Sequence, residues 1–142
     1  MIKAINFLDY LCNTLDYRFF SGIPCTGLNP LYNKMDSKFM HYIPATTNKI
    51  SIGLANGSFL AGKKSAILLD SNQLPVLDLN FNLNNSIPLL VITSGKEIPI
   101  LEKEIYILSL TNNLEECLDN ISKYIEINLK PGVLFIEEGI LQ

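Results

Sequence analysis

The chain has 142 residues, enough for one domain with a substantial core, and 48% of them are hydrophobic against 18% charged. A net charge of −3 supplies no basic stripe for nucleic acid, and no apolar run approaches the roughly 18 residues of a membrane span. Cys12, Cys25 and Cys117 have no metal-ligand spacing and are odd in number, and Asn6, Asp9 and Asn13 interrupt any signal-peptide core, so a reducing, cytoplasmic setting is expected.

Ile5, Leu8, Cys12 and Leu15 recur at helical spacing and predict an amphipathic first helix. Tyr17 to Phe20 is an aromatic run with strand preference, closed by Ser21-Gly22-Ile23-Pro24, where Gly22 and Pro24 predict a tight strand-to-helix turn. Thr26 or Asn29 is placed to cap a short helix with Pro30 in its first turn, broken by Asp36 and Ser37 before a second strand over Phe39 to Ile43. Pro44 disfavours helix at Ile43, and Thr46 or Thr47 offers an N-cap hydroxyl to a helix in which Ile50, Leu54 and Phe59 alternate with Gly53, Ala55, Gly57 and Ala61. Two interior glycines cost about 1 kcal/mol each, which suggests that another backbone approaches closely there. Lys63 and Lys64 suit the end of that helix, where cations oppose its dipole.

Ala66 to Leu69 is continuously apolar, as in a central strand of a parallel sheet. The irregular stretch Asp70 to Asn85 is expected to hold a short helix near Leu74 to Phe81. Ile87 to Ile92 forms a buried strand ended by Thr93-Ser94-Gly95, and Glu104 to Leu108 a fifth strand. Asn113 caps a last helix with apolar Leu114, Cys117, Leu118, Ile121 and Ile125 on one face; Lys130-Pro131-Gly132 stops it before a strand over Val133 to Ile136. Strands and helices alternating in this way predict a three-layer α/β/α domain over residues 1–142, built on a mostly parallel sheet of about six strands.

The chemistry-bearing residues are sparse. His41, the single histidine, has no G-x-S-x-G elbow to serve and reads as a strand residue. Gly53, Gly57 and Gly62 form no phosphate loop, because no G-x-x-x-x-G-K-[ST] is present. Cys25 stands at a helix start, where a thiolate would be stabilised, but as a lone cysteine it reads as structural or substrate-adjacent. Asp70, Ser71 and Asn72 follow a buried strand at the edge where open α/β sheets bind ligands, although a plain polar loop explains them nearly as well.

Several segments together resemble the pyrimidine-binding (Pyr) domain of thiamine-diphosphate enzymes, and among these the phosphonopyruvate and sulfopyruvate decarboxylases. Phe20-Ser-Gly-Ile-Pro-Cys-Thr-Gly-Leu-Asn-Pro-Leu31 is similar to the family turn and helix F-x-G-V-P-x-S-x-L-x-P-L, and Gly53 to Lys64 to its helix A-x-x-A-G-x-x-L-A-G-K. Ala66 to Leu74 stands for V-x-M-Q-N-S-G-L-G-N, Ile87 to Ile92 for I-P-x-L-L-L-I, and Lys130 to Gly139 for the closing strand. The resemblance covers nearly the whole chain.

That resemblance implies one half of a shared site, in a carboxy-lyase acting on a small 2-oxo acid. The family's second half, a diphosphate-binding (PP) domain, carries a G-D-G and a downstream asparagine for magnesium and the diphosphate; no G-D-G occurs in this chain. It therefore implies thiamine diphosphate shared with a partner chain, magnesium held by that partner, and a PP-domain subunit or a homodimer as the assembly. The α-helix from Ile50 to Ala61 would lie near that contact. The family glutamate facing the aminopyrimidine falls at Asn48, and the first glutamate of the chain is Glu97. Gln73-Leu74-Pro75 replaces a Gly-Leu-Gly loop. The implied roles are Asn48, Ser71 and Asn72 toward the cofactor, with Asn48 also at the catalytic position, and Gly22, Pro24, Cys25 and Thr26 toward the substrate. Asn48 and the altered loop leave open a catalytically degenerate binding or scaffold module. A flavodoxin-like domain for a small ligand is the remaining reading.

Overall fold

The computed structural model describes residues 1–36, 40–101 and 104–142. Six strands, β1 (Tyr17–Gly22), β2 (His41–Pro44), β3 (Lys64–Asp70), β4 (Leu89–Gly95), β5 (Tyr106–Ser109) and β6 (Pro131–Glu137), form one sheet in the order β2-β1-β3-β4-β6-β5. All five pairings are parallel. Helices α1 (Ala4–Asp9), α2 (Asn29–Tyr32) and α5 (Leu114–Asn128) cover one face, and α3 (Asn48–Leu60) and α4 (Asn80–Asn84) the other. The three-layer α/β/α expectation describes this architecture.

The continuous apolar strands follow from burial on both sides. Along β3, Ala66 and Leu68 enter a core with Phe7, Leu11, Leu28, Leu118 and Ile121. The intervening Ile67 and Leu69 enter a second core with Ile52, Ala55, Leu74 and Leu77. β4 is buried throughout, whereas the edge strands β2 and β5 are short and partly exposed.

Several local expectations are corrected. α1 passes into a π-helical segment, Tyr10–Thr14, and its buried stripe is Ala4, Phe7, Leu8, Leu11 and Cys12. Ile5, expected in the core, is exposed, while Leu15 lies beyond the helix. The helix expected over Leu74 to Phe81 is two pieces, a 3-10 segment Ser71–Val76 that contains Pro75 and gives way to extended backbone at Leu77, and then α4, ahead of which the Asp78 carboxylate accepts the Asn80 N–H at 3.0 Å. Lys63 and Lys64 follow α3 rather than closing it. A Schellman turn does that, with Gly62 at φ +92°, its N–H donating to Phe59 O and the Lys63 N–H to Ser58 O. Asn113 occupies the N-cap of α5 but bonds the Glu116 side chain instead of a backbone amide. Helix α5 stops at Leu129, which adopts a left-handed φ of 51°, and Pro131 already belongs to β6. Strand β5 starts two residues later than expected. Ser37 and Phe39, expected to end a helix and to begin β2, lie outside the described residues.

The interior glycines of α3 meet no other backbone among the described residues. A Cβ at Gly53 or Gly57 would have nothing within 4 Å. They share an exposed apolar face with Ile50 and Leu60, which are 49% and 74% exposed.

Candidate functional site

From β1 the sheet extends to β2 on one side and to β3 on the other, so strand order reverses between β1 and β3, and their carboxyl ends open the crevice where such folds bind ligands. Gly22 ends β1 with φ +141°, and a Cβ there would fall 1.9 Å from the Leu68 carbonyl oxygen. Only glycine fits, as the expected tight turn requires. The Gly22 carbonyl accepts the Ala45 N–H at 2.8 Å, which holds the segment after β2 beside it. Two residues on, Thr47 caps α3 by accepting the Ile50 N–H at 3.2 Å, and this sets Asn48 in the first turn above the crevice.

Asp70 ends β3. Its carboxylate accepts the Asn72 N–H at 3.0 Å and turns the chain into the Ser71–Val76 segment. Gln73 on that segment accepts a hydrogen bond from the Asn48 side-chain NH2 at 3.1 Å, and its own NH2 donates to Asn72 Oδ1 at 3.5 Å. The structure thus brings Asn48 and the 71–73 turn together. Asn48 Oδ1 is buried without a hydrogen-bond partner among the described residues. Ser71 is buried against β4, since a Cβ at Gly95 would meet its Oγ at 1.9 Å. Asn72 is exposed.

The residues expected on the substrate side end or follow β1. Pro24 and Thr26 are exposed and Cys25 is half-buried at the start of a 3-10 turn, Thr26–Leu28. Cys25 N–H donates to the Tyr32 hydroxyl at 3.3 Å, and its Sγ lies 3.9 Å from that oxygen. Burial pushes the Cys25 thiol up, outweighing the Tyr32 hydrogen bond. Burial thus opposes the thiolate that the helix-start position would favour. Tyr32 is pushed up by burial as well, and it stacks on Tyr42 with ring centroids 5.2 Å apart. His41 is exposed on β2.

Gln73, Tyr32, Thr93 and Ser94 were not legible as site residues. Thr93 and Ser94 end β4, 0% and 1% exposed, and neither hydroxyl has a partner among the described residues. The turn after β1 lies over Ser94, because a Cβ at Gly27 would be 3.0 Å from its Oγ. The one hint was a polar Thr-Ser pair closing an otherwise apolar strand. Among the described residues no group of three or more His, Cys, Asp or Glu side chains is arranged to hold a metal, and no helix is long and apolar enough to cross a membrane.

No protein-family model matches the chain. Over 57 residues, 39% of the chain, it is 33% identical to sulfopyruvate decarboxylase subunit alpha of Methanococcus maripaludis, covering 34% of that protein. Superposition on the 2-oxoglutarate:ferredoxin oxidoreductase of Magnetococcus marinus covers 96% of the chain with a TM-score of 0.73 at 14% identity. A Mycobacterium smegmatis protein assigned as a thiamin diphosphate-dependent enzyme matches with the same coverage, TM-score and identity. The chain therefore shares the fold of part of each of these two proteins. The chain spans only 29% and 31% of the lengths of these two structures, and about a third of the curated relative.

Proposed function

We propose that the chain is the Pyr-type subunit of a thiamine-diphosphate-dependent 2-oxoacid decarboxylase, of the phosphonopyruvate or sulfopyruvate type, completed by a separate PP subunit. The observation that carries this reading is the unpartnered Asn48 Oδ1 at the β1/β3 switch point, the position the family resemblance gives to the residue facing the aminopyrimidine. A buried acceptor without a donor costs about 1–3 kcal/mol and is accounted for by a ligand N–H. The similarity to a decarboxylase alpha subunit supports a divided enzyme, since an alpha subunit implies another. The exposed α3 face of Ile50, Gly53, Gly57 and Leu60 gives the partner an apolar surface on which its backbone can come close.

On this reading the residues fit the cofactor's pyrimidine end. Asn48 would bond the ring, Ser71 and Asn72 would border it, and Gly22, Pro24, Cys25 and Thr26 would flank the 2-oxo acid. Thiamine diphosphate, when bound, supplies a nucleophilic carbon for the oxo group and accepts the electrons left by carbon dioxide. Asn48 orients the ring through a neutral hydrogen bond and cannot take up a proton as a carboxylate does. Cys25, half-buried beside Tyr32, would border the anionic substrate. Magnesium and the diphosphate would belong to the partner subunit.

The test is to assemble the chain with a candidate PP subunit, thiamine diphosphate and magnesium, and to measure carbon dioxide release from phosphonopyruvate and sulfopyruvate. An assembled complex that binds cofactor and remains inert on both sinks the decarboxylase reading. The second reading, a scaffold without chemistry, draws on the same amide, which offers no proton relay. Asn48→Glu separates the two. A weakened enzyme gains about a hundred-fold or more in turnover, the range attributed to a placed acid–base group, whereas a scaffold gains nothing.

A further inference from the structure

Asn48 does not choose its own orientation. A carboxamide has a donor end and an acceptor end of nearly the same shape, so its partners decide which end is left for a ligand. Here the partners form a directed chain. The Asp70 carboxylate, which can only accept when ionised, takes the Asn72 N–H at 3.0 Å and fixes the turn. Asn72 Oδ1 accepts from the Gln73 NH2 at 3.5 Å, which turns Gln73 Oε1 toward α3. That oxygen accepts the Asn48 NH2 at 3.1 Å. The Gln73 and Asn48 side-chain amides both donate toward the turn that Asp70 fixes, and the series ends in an acceptor without a partner among the described residues, the buried Asn48 Oδ1.

We propose that Gln73 is a positioning residue that engages the donor end of the Asn48 carboxamide and leaves its carbonyl oxygen as the unpaired end, so that the site favours a ligand edge presenting an N–H donor. The inference rests on the proposed cofactor reading for the ligand, which would be an aminopyrimidine offering its exocyclic amine or a protonated ring nitrogen. It is independent of that reading for the role of Gln73. It assigns the site a polarity: one N–H of the Asn48 amide is engaged by Gln73, while its carbonyl oxygen has no donor among the described residues and is the end that gains most from a ligand N–H. It also gives a purpose to the Gln73 side chain in a loop where the family pattern has glycine.

The test uses the full chain and nuclear magnetic resonance of its side-chain amides. In the wild type, one Asn48 NH2 proton is shifted downfield and protected from exchange by the Gln73 oxygen. Gln73→Met removes the acceptor at similar length and abolishes both features; Gln73→Glu keeps an acceptor and restores them. Asn48 resonances unchanged in Gln73→Met overturn the proposal. In parallel, 4-amino-5-hydroxymethyl-2-methylpyrimidine is titrated into all three proteins. Binding about five-fold weaker in Gln73→Met and near wild type in Gln73→Glu is expected, the factor of a typical net hydrogen bond. Equal affinity in all three overturns the selectivity claim. If the amide signature behaves as expected and the pyrimidine binds none of the proteins, the positioning role of Gln73 stands, while both the ligand assignment and the cofactor reading beneath it are lost.

Discussion

Asn56 and Asn82 meet head to head in the protein interior, each carboxamide donating to the other at 2.9 and 2.8 Å. Asn82 also donates to the Ile87 carbonyl at 3.3 Å, so one buried side chain links α3, α4 and the entry to β4. Asn82→Leu leaves the Asn56 amide buried and unpaired and should cost about 1–3 kcal/mol in urea unfolding. The double variant N56L/N82L removes both ends of the pair and should recover much of that loss. A single variant as stable as the wild type would show that the pair contributes nothing.

The glycines of α3 should respond oppositely in isolation and in assembly. With nothing within 4 Å of either Cβ position, Gly53→Ala and Gly57→Ala should each stabilise the isolated chain by about 0.5–1 kcal/mol through helix propensity. If a partner backbone lies on this face, the same substitutions weaken assembly. Thermal melts of the chain beside association measurements with the PP subunit separate the two effects, and alanine tolerated in both would remove the docking role of the face.

Gly22 and Gly62 both have positive φ, yet substitution should differ sharply between them. Gly22→Ala combines strain with a Cβ driven into the Leu68 carbonyl and should cost about 3 kcal/mol or more. Gly62→Ala meets open space at φ +92° and should cost only about 1 kcal/mol. Denaturant midpoints of the two variants provide the comparison.

Alkali should unfold the protein through two buried groups. Burial raises the Cys12 thiol from 9.0 to about 11 and the Tyr17 hydroxyl from 10.0 to about 12. Each group ionises more readily in the unfolded chain, so its contribution is fully present below its ordinary value and is lost as pH rises through the folded one. Stability should be flat below about pH 8 and fall between pH 9 and 12 by about 2–3 kcal/mol for each group. Cys12→Ala should flatten the first part of that decline, and a decline identical in Cys12→Ala would assign it to other residues.

The sheet was readable because strands buried on both faces must be apolar at every position, as Ala66 to Leu69 are. Helix α5 was readable from its helical apolar spacing. The stretch after β3 was not, because Asp70 and Asp78 each bond an amide two residues on and cut the chain into short turns that follow no period. Asn56 and Asn82 were invisible for a related reason: a polar residue satisfied by a distant polar residue has no local signature. At the site, Asn48 was singled out only by the family resemblance, through its spacing from Gly57, and not by any local signature of its own. The Gln73 contact spans 25 positions and depends on how the carboxyl ends of two strands meet.

One consequence follows from the bridge between Ile2 and Leu141, where Ile2 N–H donates to Ile140 O and Gln142 N–H donates to Ile2 O, both at 2.9 Å. Strand β6 runs toward the carboxyl rim of the sheet before reaching Leu141, and α1 descends from that rim to reach the start of β1. A circular permutant joining residues 142 and 1 by a short glycine linker should therefore keep the fold, with its seam on the rim that carries Gly22, Asp70 and Gly95.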